Sequence, residues 1–255
     1  MLGIDNKPYI DCSEFLDLQT LIDLEIEICS GLALSNIKSG IYGPGIVNAE
    51  KYGNYLFMSK EIDNKPELHD EYRWKRMNQE QKRLFLKLYK NLYSPNNSVY
   101  LKDSIDYTSL QAYLKKGSSD YYKYCDNIIH FPRLKIWLEN LVNEVFEEFG
   151  RTLFFIHEHD CELLIHRDGT QQRPHKNEFL WINPMGVKSF FIYDEINDKK
   201  HYVNCKAAFF NDLDMHGGER NDSMTWTLRI DGVFTNSFRE KIGINHINMY
   251  SNNAL

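Results

Sequence analysis

Apolar residues in the first half of the chain recur at spacings of three and four, which is the pattern of amphipathic helices. The segment Glu14–Cys29 has this spacing, with Ser13 placed to cap its first turn. Gln79–Tyr93 repeats it, and a third segment begins at Pro132 and runs to Gly150, a residue type that often closes a helix. The pattern therefore predicts three helices. The acidic residues of the first helix are predicted mostly to face solvent: Asp17, Asp23, Glu25 and Glu27.

After Gly150 the pattern changes to short apolar or alternating runs, separated by glycine, proline, asparagine and aspartate. Runs of this kind are typical of strands. Eight short strands without a long helix between them predict an antiparallel barrel or jelly roll. The predicted strands are Thr152–His157, Cys161–His166, Glu178–Asn183, Ser189–Tyr193, His201–Asn204, Lys206–Phe210, Asp214–Glu219 and Met224–Phe234.

The expected architecture is an α+β chain with a double-stranded β-helix, or jelly-roll, core. Residues 1–150 are predicted to form a mainly helical scaffold packed on the outer sheet. Residues 151–240 are predicted to form the jelly-roll core, and 241–255 a C-terminal tail.

The last predicted strand alternates cleanly between polar and apolar side chains. Because neighbouring residues of a strand point to opposite faces, Thr225, Thr227, Arg229 and Asp231 share one face. The apolar residues between them face the other way, toward the predicted helices. A polar face with an arginine is unusual for a barrel interior and suggests that the interior holds a charged ligand.

Composition narrows the function classes. The formal net charge of -6 disfavours a nucleic-acid partner, since no general basic surface is available for phosphates. The chain begins without a signal-peptide pattern and has no apolar run long enough to cross a membrane. Its five cysteines are scattered, without a paired metal or redox motif. A cytoplasmic protein without membrane attachment is expected, of undetermined oligomeric state.

Four side chains in the strand-rich half carry candidate chemistry: His166, Asp168, His216 and Arg229. Two imidazoles and one carboxylate can hold Fe(II) on one side and leave coordination positions open for reactants. A downstream arginine can bind a carboxylate through paired hydrogen bonds. His166 and Asp168 also lie two residues apart, so they point the same way at the end of a strand.

The segments Leu164-Ile-His-Arg-Asp-Gly, Asp214-Met-His-Gly-Gly and Thr227-Leu-Arg-Ile-Asp resemble the iron(II)- and 2-oxoglutarate-dependent oxygenase superfamily. The spacing is nearest to its aspartyl/asparaginyl β-hydroxylase and bacterial proline hydroxylase branch. The resemblance implies that His166, Asp168 and His216 bind Fe(II), and that Arg229 binds 2-oxoglutarate.

That resemblance further implies a hydroxylase that consumes O2 and 2-oxoglutarate and releases succinate and CO2. Residues 151–240 would then be its catalytic core, and the scaffold over 1–150 could also serve as a substrate lid. Asp168 favours hydroxylation over halogenation, since the halogenating members lack this carboxylate. The expected substrate is an amino acid, a peptidyl residue or a small metabolite. Thr227 beside Arg229, and Arg173 in the loop after the first ligand strand, are further candidate binding residues; His175, in the same loop, is a weaker one.

Two other functions remain open. A cupin-type metal dioxygenase or isomerase would use His157, His159 and Glu162, although their spacing departs from the cupin pattern. A non-catalytic jelly-roll binding module would need a protein carboxylate opposite a buried Arg229, with Asp231 or Asp214 as candidates.

The second ring nitrogen of a metal-bound histidine usually has a hydrogen-bonding partner. For His216 the candidate partners are Asp212, Asp214 and Glu219. Asn183, near the end of its strand, is interpreted as a structural polar residue.

Overall fold

The computed structural model describes residues 3–36, 38–39, 71–91, 97–104, 122–157, 162–167 and 178–244. All of the strand pairing between named strands is antiparallel, and the strands form two sheets. In chain order the strands are β1 (Tyr9–Asp11), β2 (Lys38–Ser39), β3 (Asn97–Ser104), β4 (Tyr122–Tyr124), β5 (Phe146–His157), β6 (Leu163–His166), β7 (Glu178–Ile182), β8 (Phe190–Asp194), β9 (Lys199–Tyr202), β10 (Ala207–Phe210), β11 (Met215–Gly218) and β12 (Thr225–Phe234).

The eight strands predicted from the sequence are all present, as β5 to β12. The larger sheet has the order β1-β10-β7-β12-β5-β3-β2, with β4 paired to β3, and the smaller sheet has the order β6-β11-β8-β9. From β5 onward the chain therefore passes back and forth between the two sheets, which is the connectivity of a jelly roll. The two sheets face each other through aromatic side chains: Trp181 of the larger sheet stacks on Phe190 of the smaller one, with ring centroids 4.6 Å apart.

The described part of the first half contains strands as well as the expected helices. Strands β1 to β4 also lie there, and they extend the larger sheet at both of its edges. The described helices are α1 (Leu18–Asp23), α2 (Glu25–Leu34), α3 (Glu71–Arg76), α4 (Gln79–Asn91), α5 (Pro132–Asn140) and α6 (Asn236–Lys241).

The single helix predicted over 14–29 is wrong in detail, because two helices meet at Leu24. Asp17, not Ser13, caps the first of them: its carboxylate accepts a hydrogen bond from the Thr20 amide at 3.2 Å. The Ser13 hydroxyl instead accepts from the amide of Ala207, the first residue of β10, and from that of Lys206 before it. Ser13 therefore ties the N-terminal segment to the jelly roll.

Glu25 was expected at the solvent face, but it is fully buried. Its carboxylate accepts hydrogen bonds from Arg73 at 2.6 Å and from Arg76 at 2.9 Å. A buried carboxylate requires such partners, because transfer of an unpaired charge out of water is costly. The ion pairs join α2 to α3, and Arg73 also donates to the main-chain oxygen of Met224, just before β12.

The helix that begins at Pro132 ends at Asn140, so Gly150 does not cap it. Asn143 has a φ of +69°, and the chain then turns into β5, which begins at Phe146. Gly150 lies inside that strand, at the point where the pairing register with β12 shifts. A glycine in a strand often marks such a bulge.

The outward face of β12 meets the first half of the chain through aromatic rings. Trp226 packs edge-on against Phe154 of β5, and Phe154 contacts Phe131, which precedes α5. The ring of Phe131 approaches Gly31 of α2 so closely that a Cβ there would lie 2.5 Å from the ring. A larger residue at Gly31 would therefore separate α2 from this aromatic layer.

None of the helices in the described ranges has the length and hydropathy that crossing a membrane requires. The division of the chain at residues 150 and 240 stays a prediction.

Candidate active site

Two histidines predicted as metal ligands meet on the smaller sheet. His166 ends β6, His216 lies on β11, and the two are Cα partners across the pair of strands. Their ring centroids are 4.5 Å apart with an angle of 60° between the ring planes. Strand pairing thus brings together two residues that are far apart in sequence.

The His216 ring points between the two sheets. It is 3% exposed, and its centroid lies 5.7 Å from that of Phe190 and 5.4 Å from that of Phe210, a residue of the larger sheet. His166 is only partly buried. The pair therefore reaches from the jelly-roll interior toward solvent, as a site that admits a reactant must.

The main chain of Asp214 orients the His216 ring. Its carbonyl oxygen lies 2.9 Å from the His216 Nδ1. A carbonyl can only accept, so Nδ1 carries the proton and Nε2 carries the lone pair that a metal ion requires. Asp214 is one of the three residues predicted for this role, and its main-chain carbonyl, not its carboxylate, is the group that contacts Nδ1.

Asp214 also connects this ring to the N-terminus. Its carboxylate accepts a hydrogen bond from the Gly3 amide at 2.6 Å, and its own amide donates to the Asn211 carbonyl at 2.9 Å. Asp214 is 3% exposed, so both contacts are shielded from water. The segment before β1 thus supports the short turn that holds the Asp214 carbonyl against His216.

The polar face of β12 lines the interior on the opposite side. Arg229 is the Cα partner of Trp181, whose ring lies between the sheets, so Thr227 and Thr225 share that inward face by alternation. Both threonines are almost completely buried, and their hydroxyl groups have no hydrogen-bonding partner in the described structure. Buried hydroxyls without partners are uncommon in proteins and indicate a place for a polar ligand or water.

Arg229 is 3% exposed, and its charge is already compensated by protein carboxylates. Its Nε donates to Asp231 at 2.6 Å, and one Nη donates to Asp212 at 3.1 Å. The guanidinium also lies over the Phe179 ring, 4.0 Å from its centroid. Of the two predicted carboxylate partners, Asp231 is confirmed, whereas Asp214 is replaced by Asp212.

Asp231 links Arg229 to a second arginine, since its other oxygen accepts from Arg151 at 2.7 Å. Burial alone would raise the pKa of Asp231, but Arg151 and Arg229 outweigh that effect and hold its pKa below the usual value. Among the described residues, the two arginines and two aspartates of this cluster sum to no formal charge. The cluster therefore presents no net positive charge to an incoming acid.

A buried cation lies at another part of the interior, which we call the Lys188 end: Asn183, Lys188, Gly218 and Thr225. Lys188 is 2% exposed, and its ammonium donates to the main-chain oxygen of Glu219 at 2.8 Å. Asn183 donates to the Lys188 carbonyl at 2.9 Å, and its own side-chain oxygen has no partner among the described residues.

His157 borders the Lys188 end, as the Cα partner of Thr225. It is buried, and its pKa is held well below the ordinary histidine value by burial and by the charge of Lys188. The imidazole is therefore neutral at physiological pH. His159, the other histidine of the cupin alternative, lies outside the described residues, and Glu162 is partly buried.

Asp168, Arg173 and His175 likewise lie outside the described residues, so their predicted roles remain predictions. Within the part of the chain that is described, no three His, Cys, Asp or Glu side chains form a metal-binding group. Two of the three predicted ligands are therefore placed. Their chemistry fits a divalent metal, because His216 presents Nε2 and His166 lies beside it.

Lys188 was not identified from the sequence. It stands in a polar run, Gly186-Val-Lys-Ser, with the composition of an exposed turn. Burial of a lysine is rare enough that no local pattern signals it. Asn183 was interpreted as a structural residue, and its hydrogen bond to Lys188 agrees with that.

Neither a family model nor a curated protein sequence matches the chain. Solved structures with some similarity include a Pseudomonas putida prolyl-4-hydroxylase, with 9% identity over 55% of this chain and 71% of that chain and a TM-score of 0.30. A viral collagen prolyl hydroxylase from Paramecium Bursaria Chlorella virus-1, in complex with 2OG, has 9% identity over 56% and 83% and a TM-score of 0.29. An RmlC-like cupin protein from Desulfovibrio desulfuricans has 17% identity over 34% and 73% and a TM-score of 0.25. Similarity at this level does not establish a relationship, so function has to be inferred from the residues themselves.

Proposed function

We propose that the protein is an Fe(II)- and 2-oxoglutarate-dependent oxygenase that hydroxylates a C–H bond. The proposal is supported chiefly by the His166–His216 pair, whose rings lie 4.5 Å apart at the jelly-roll interior. The Asp214 carbonyl holds His216 in the tautomer that binds a metal through Nε2. The substrate class, an amino acid, a peptidyl residue or a small metabolite, follows from the sequence resemblance.

In this proposal His166, His216 and Asp168 hold the iron. Bound Fe(II) would supply open coordination positions for the 2-oxo acid and O2 and the oxidising chemistry for hydroxylation, with succinate and CO2 as products. The aromatic rings of Phe190 and Phe210 exclude water from one side of His216.

Anaerobic titration with Fe(II), followed by 2-oxoglutarate, tests the proposal directly. We expect Fe(II) to bind and a weak visible charge-transfer band to appear when 2-oxoglutarate is added. His216→Ala should lose both, whereas His130→Ala, which changes a histidine in the 3-10 helix before α5, should retain both. Succinate formation in air without a primary substrate would support the class, and its absence together with absence of the band would contradict it.

A second candidate is favoured by one observation, the compensation of Arg229 by Asp231 and Asp212. It is a cupin-type metal enzyme that does not use 2-oxoglutarate. Iron binding without the charge-transfer band would support this candidate. Failure to bind any divalent metal would indicate a non-catalytic binding module instead, in which Arg229 and its carboxylates stabilise the fold.

A further inference from the structure

We propose that the distal carboxylate of the 2-oxo acid binds to Lys188 and Thr225 at the Lys188 end and to Thr227, the next inward residue of β12, and not to Arg229. This inference rests on the proposed function and changes which residues select the co-substrate. It assigns Lys188 a role in binding a dicarboxylic 2-oxo acid.

The surroundings of Arg229 argue against the role that the sequence resemblance implies for it. Asp231 and Asp212 lie 2.6 and 3.1 Å from its nitrogens, and Arg151 compensates the remaining charge of Asp231. A carboxylate that bound here would lie beside two others in a buried space. Like charges at such distances repel strongly where water does not screen them.

The position of Lys188 relative to the histidine pair suits a short dicarboxylate. Its side chain crosses the inner face of β11 at Gly218, where a Cβ would lie 2.6 Å from the Lys188 Cε and 3.1 Å from its Nζ. Gly218 and His216 are two residues apart on the same face of this strand, a separation of about 6.8 Å. The four C–C bonds between the carboxyl carbons of 2-oxoglutarate, each about 1.5 Å long, span about 5 Å when extended. A 2-oxo acid held beside His216 would therefore extend its far carboxylate to Lys188.

Gly218 is the residue that allows this path. Any side chain at this position would occupy the space through which the Lys188 alkyl chain runs. The glycine thus lets a buried ammonium lie against the inner face of the smaller sheet, although Lys188 itself precedes β8.

The larger sheet contributes hydroxyl groups on the opposite side. Thr225 and Thr227 are 1% and 0% exposed, and neither hydroxyl has a hydrogen-bonding partner within the described structure. A carboxylate would accept from both hydroxyls and from the ammonium, in an interior where hydrogen bonds to charged groups are strong. His157 beside them is neutral, so it neither repels Lys188 nor competes with it for the anion.

Comparison of 2-oxoglutarate with pyruvate isolates the contribution of the distal carboxylate to binding. Pyruvate has the same 2-oxo acid group but no distal carboxylate. Binding of each acid to the Fe(II)-loaded protein would be measured anaerobically by calorimetry. Wild type should prefer 2-oxoglutarate by at least about tenfold, the magnitude of a charge-assisted hydrogen bond. Lys188→Met should remove that preference and leave pyruvate affinity unchanged, whereas Arg229→Met should retain the preference.

Thr225→Val is the second variant, because it removes a hydroxyl without a partner, keeps the side-chain volume and leaves both cations in place. It should reduce the preference several-fold, and thermal unfolding would verify that each variant is folded. The inference is overturned if Arg229→Met loses the preference for 2-oxoglutarate, or if Lys188→Met and Thr225→Val retain it. It is also overturned if wild type binds both acids equally well. In each case the proposed function stands. If Fe(II)-loaded wild type binds neither acid, the proposed function itself fails.

Discussion

His157 should make the stability of the protein fall steeply in mild acid. Its imidazole is buried in β5, and burial together with the charge of Lys188 holds its pKa well below the ordinary histidine value of 6.5. The unfolded chain takes up a proton on this residue near pH 6.5, whereas the folded chain does not. Because the unfolded state binds more protons, the free energy of unfolding falls as the pH decreases below 6.5.

The size of the effect follows from this difference in proton binding. At pH 5.5, about one unit below the pKa of His157 in the unfolded chain, only the unfolded state binds this proton. The free energy of unfolding is therefore about 1.4 kcal/mol lower at pH 5.5 than at pH 7.5. The loss grows by about 1.4 kcal/mol for each further unit until the folded-state pKa is reached. Above pH 6.5 the contribution of His157 to stability is fully present.

Denaturant titration of the metal-free protein, with a chelator present, would measure the free energy of unfolding at pH 7.5 and 5.5. Other titrating groups also contribute, so the informative quantity is the difference between wild type and His157→Gln, which has no proton to gain. Wild type should lose about 1.4 kcal/mol more than the variant over this range. Equal losses in wild type and His157→Gln would refute a neutral buried imidazole.

Two further changes test contacts that support the site and the fold. Asp214→Ala removes the support for the carbonyl that orients His216, so the affinity for Co(II), measured by titration, should fall by up to about tenfold. Ser13→Ala also loosens the N-terminal segment but should leave the Co(II) affinity unchanged. An equal loss of affinity in both variants would contradict a specific role for Asp214. Glu178 accepts from Arg239 at 2.7 and 2.8 Å. Glu178→Gln leaves a buried arginine without its counter-charge, so the free energy of unfolding should fall by about 3 kcal/mol. Denaturant titration at neutral pH would measure this loss. A loss below about 1 kcal/mol would show that the ion pair is not a major stabilising contact.

Local alternation along the chain was enough to place the strands of the jelly roll. The period of two in Thr225–Phe234 comes from the strand backbone itself, and it correctly separated Arg229 from Trp226 before any pairing was known. Helix ends were less predictable. The apolar spacing of α5 continues to Val145, but pairing with β12 takes the chain into a strand from Phe146 onward.

The sequence by itself also determined which chemistry is available, because His166 and His216 are the residue types that bind a divalent metal, and strands carry them. Their approach to 4.5 Å depends on the pairing of β6 with β11, which only the tertiary structure decides. The charged partners of a side chain are likewise decided by the tertiary structure. Arg229 was predicted as the anchor of an acid, whereas Asp212 and Asp231 compensate it in the folded chain. Lys188 has the local sequence of an exposed turn, yet it is buried beneath Gly218. Charge compensation and burial depend on residues far apart along the chain, so they could be established only from the folded structure.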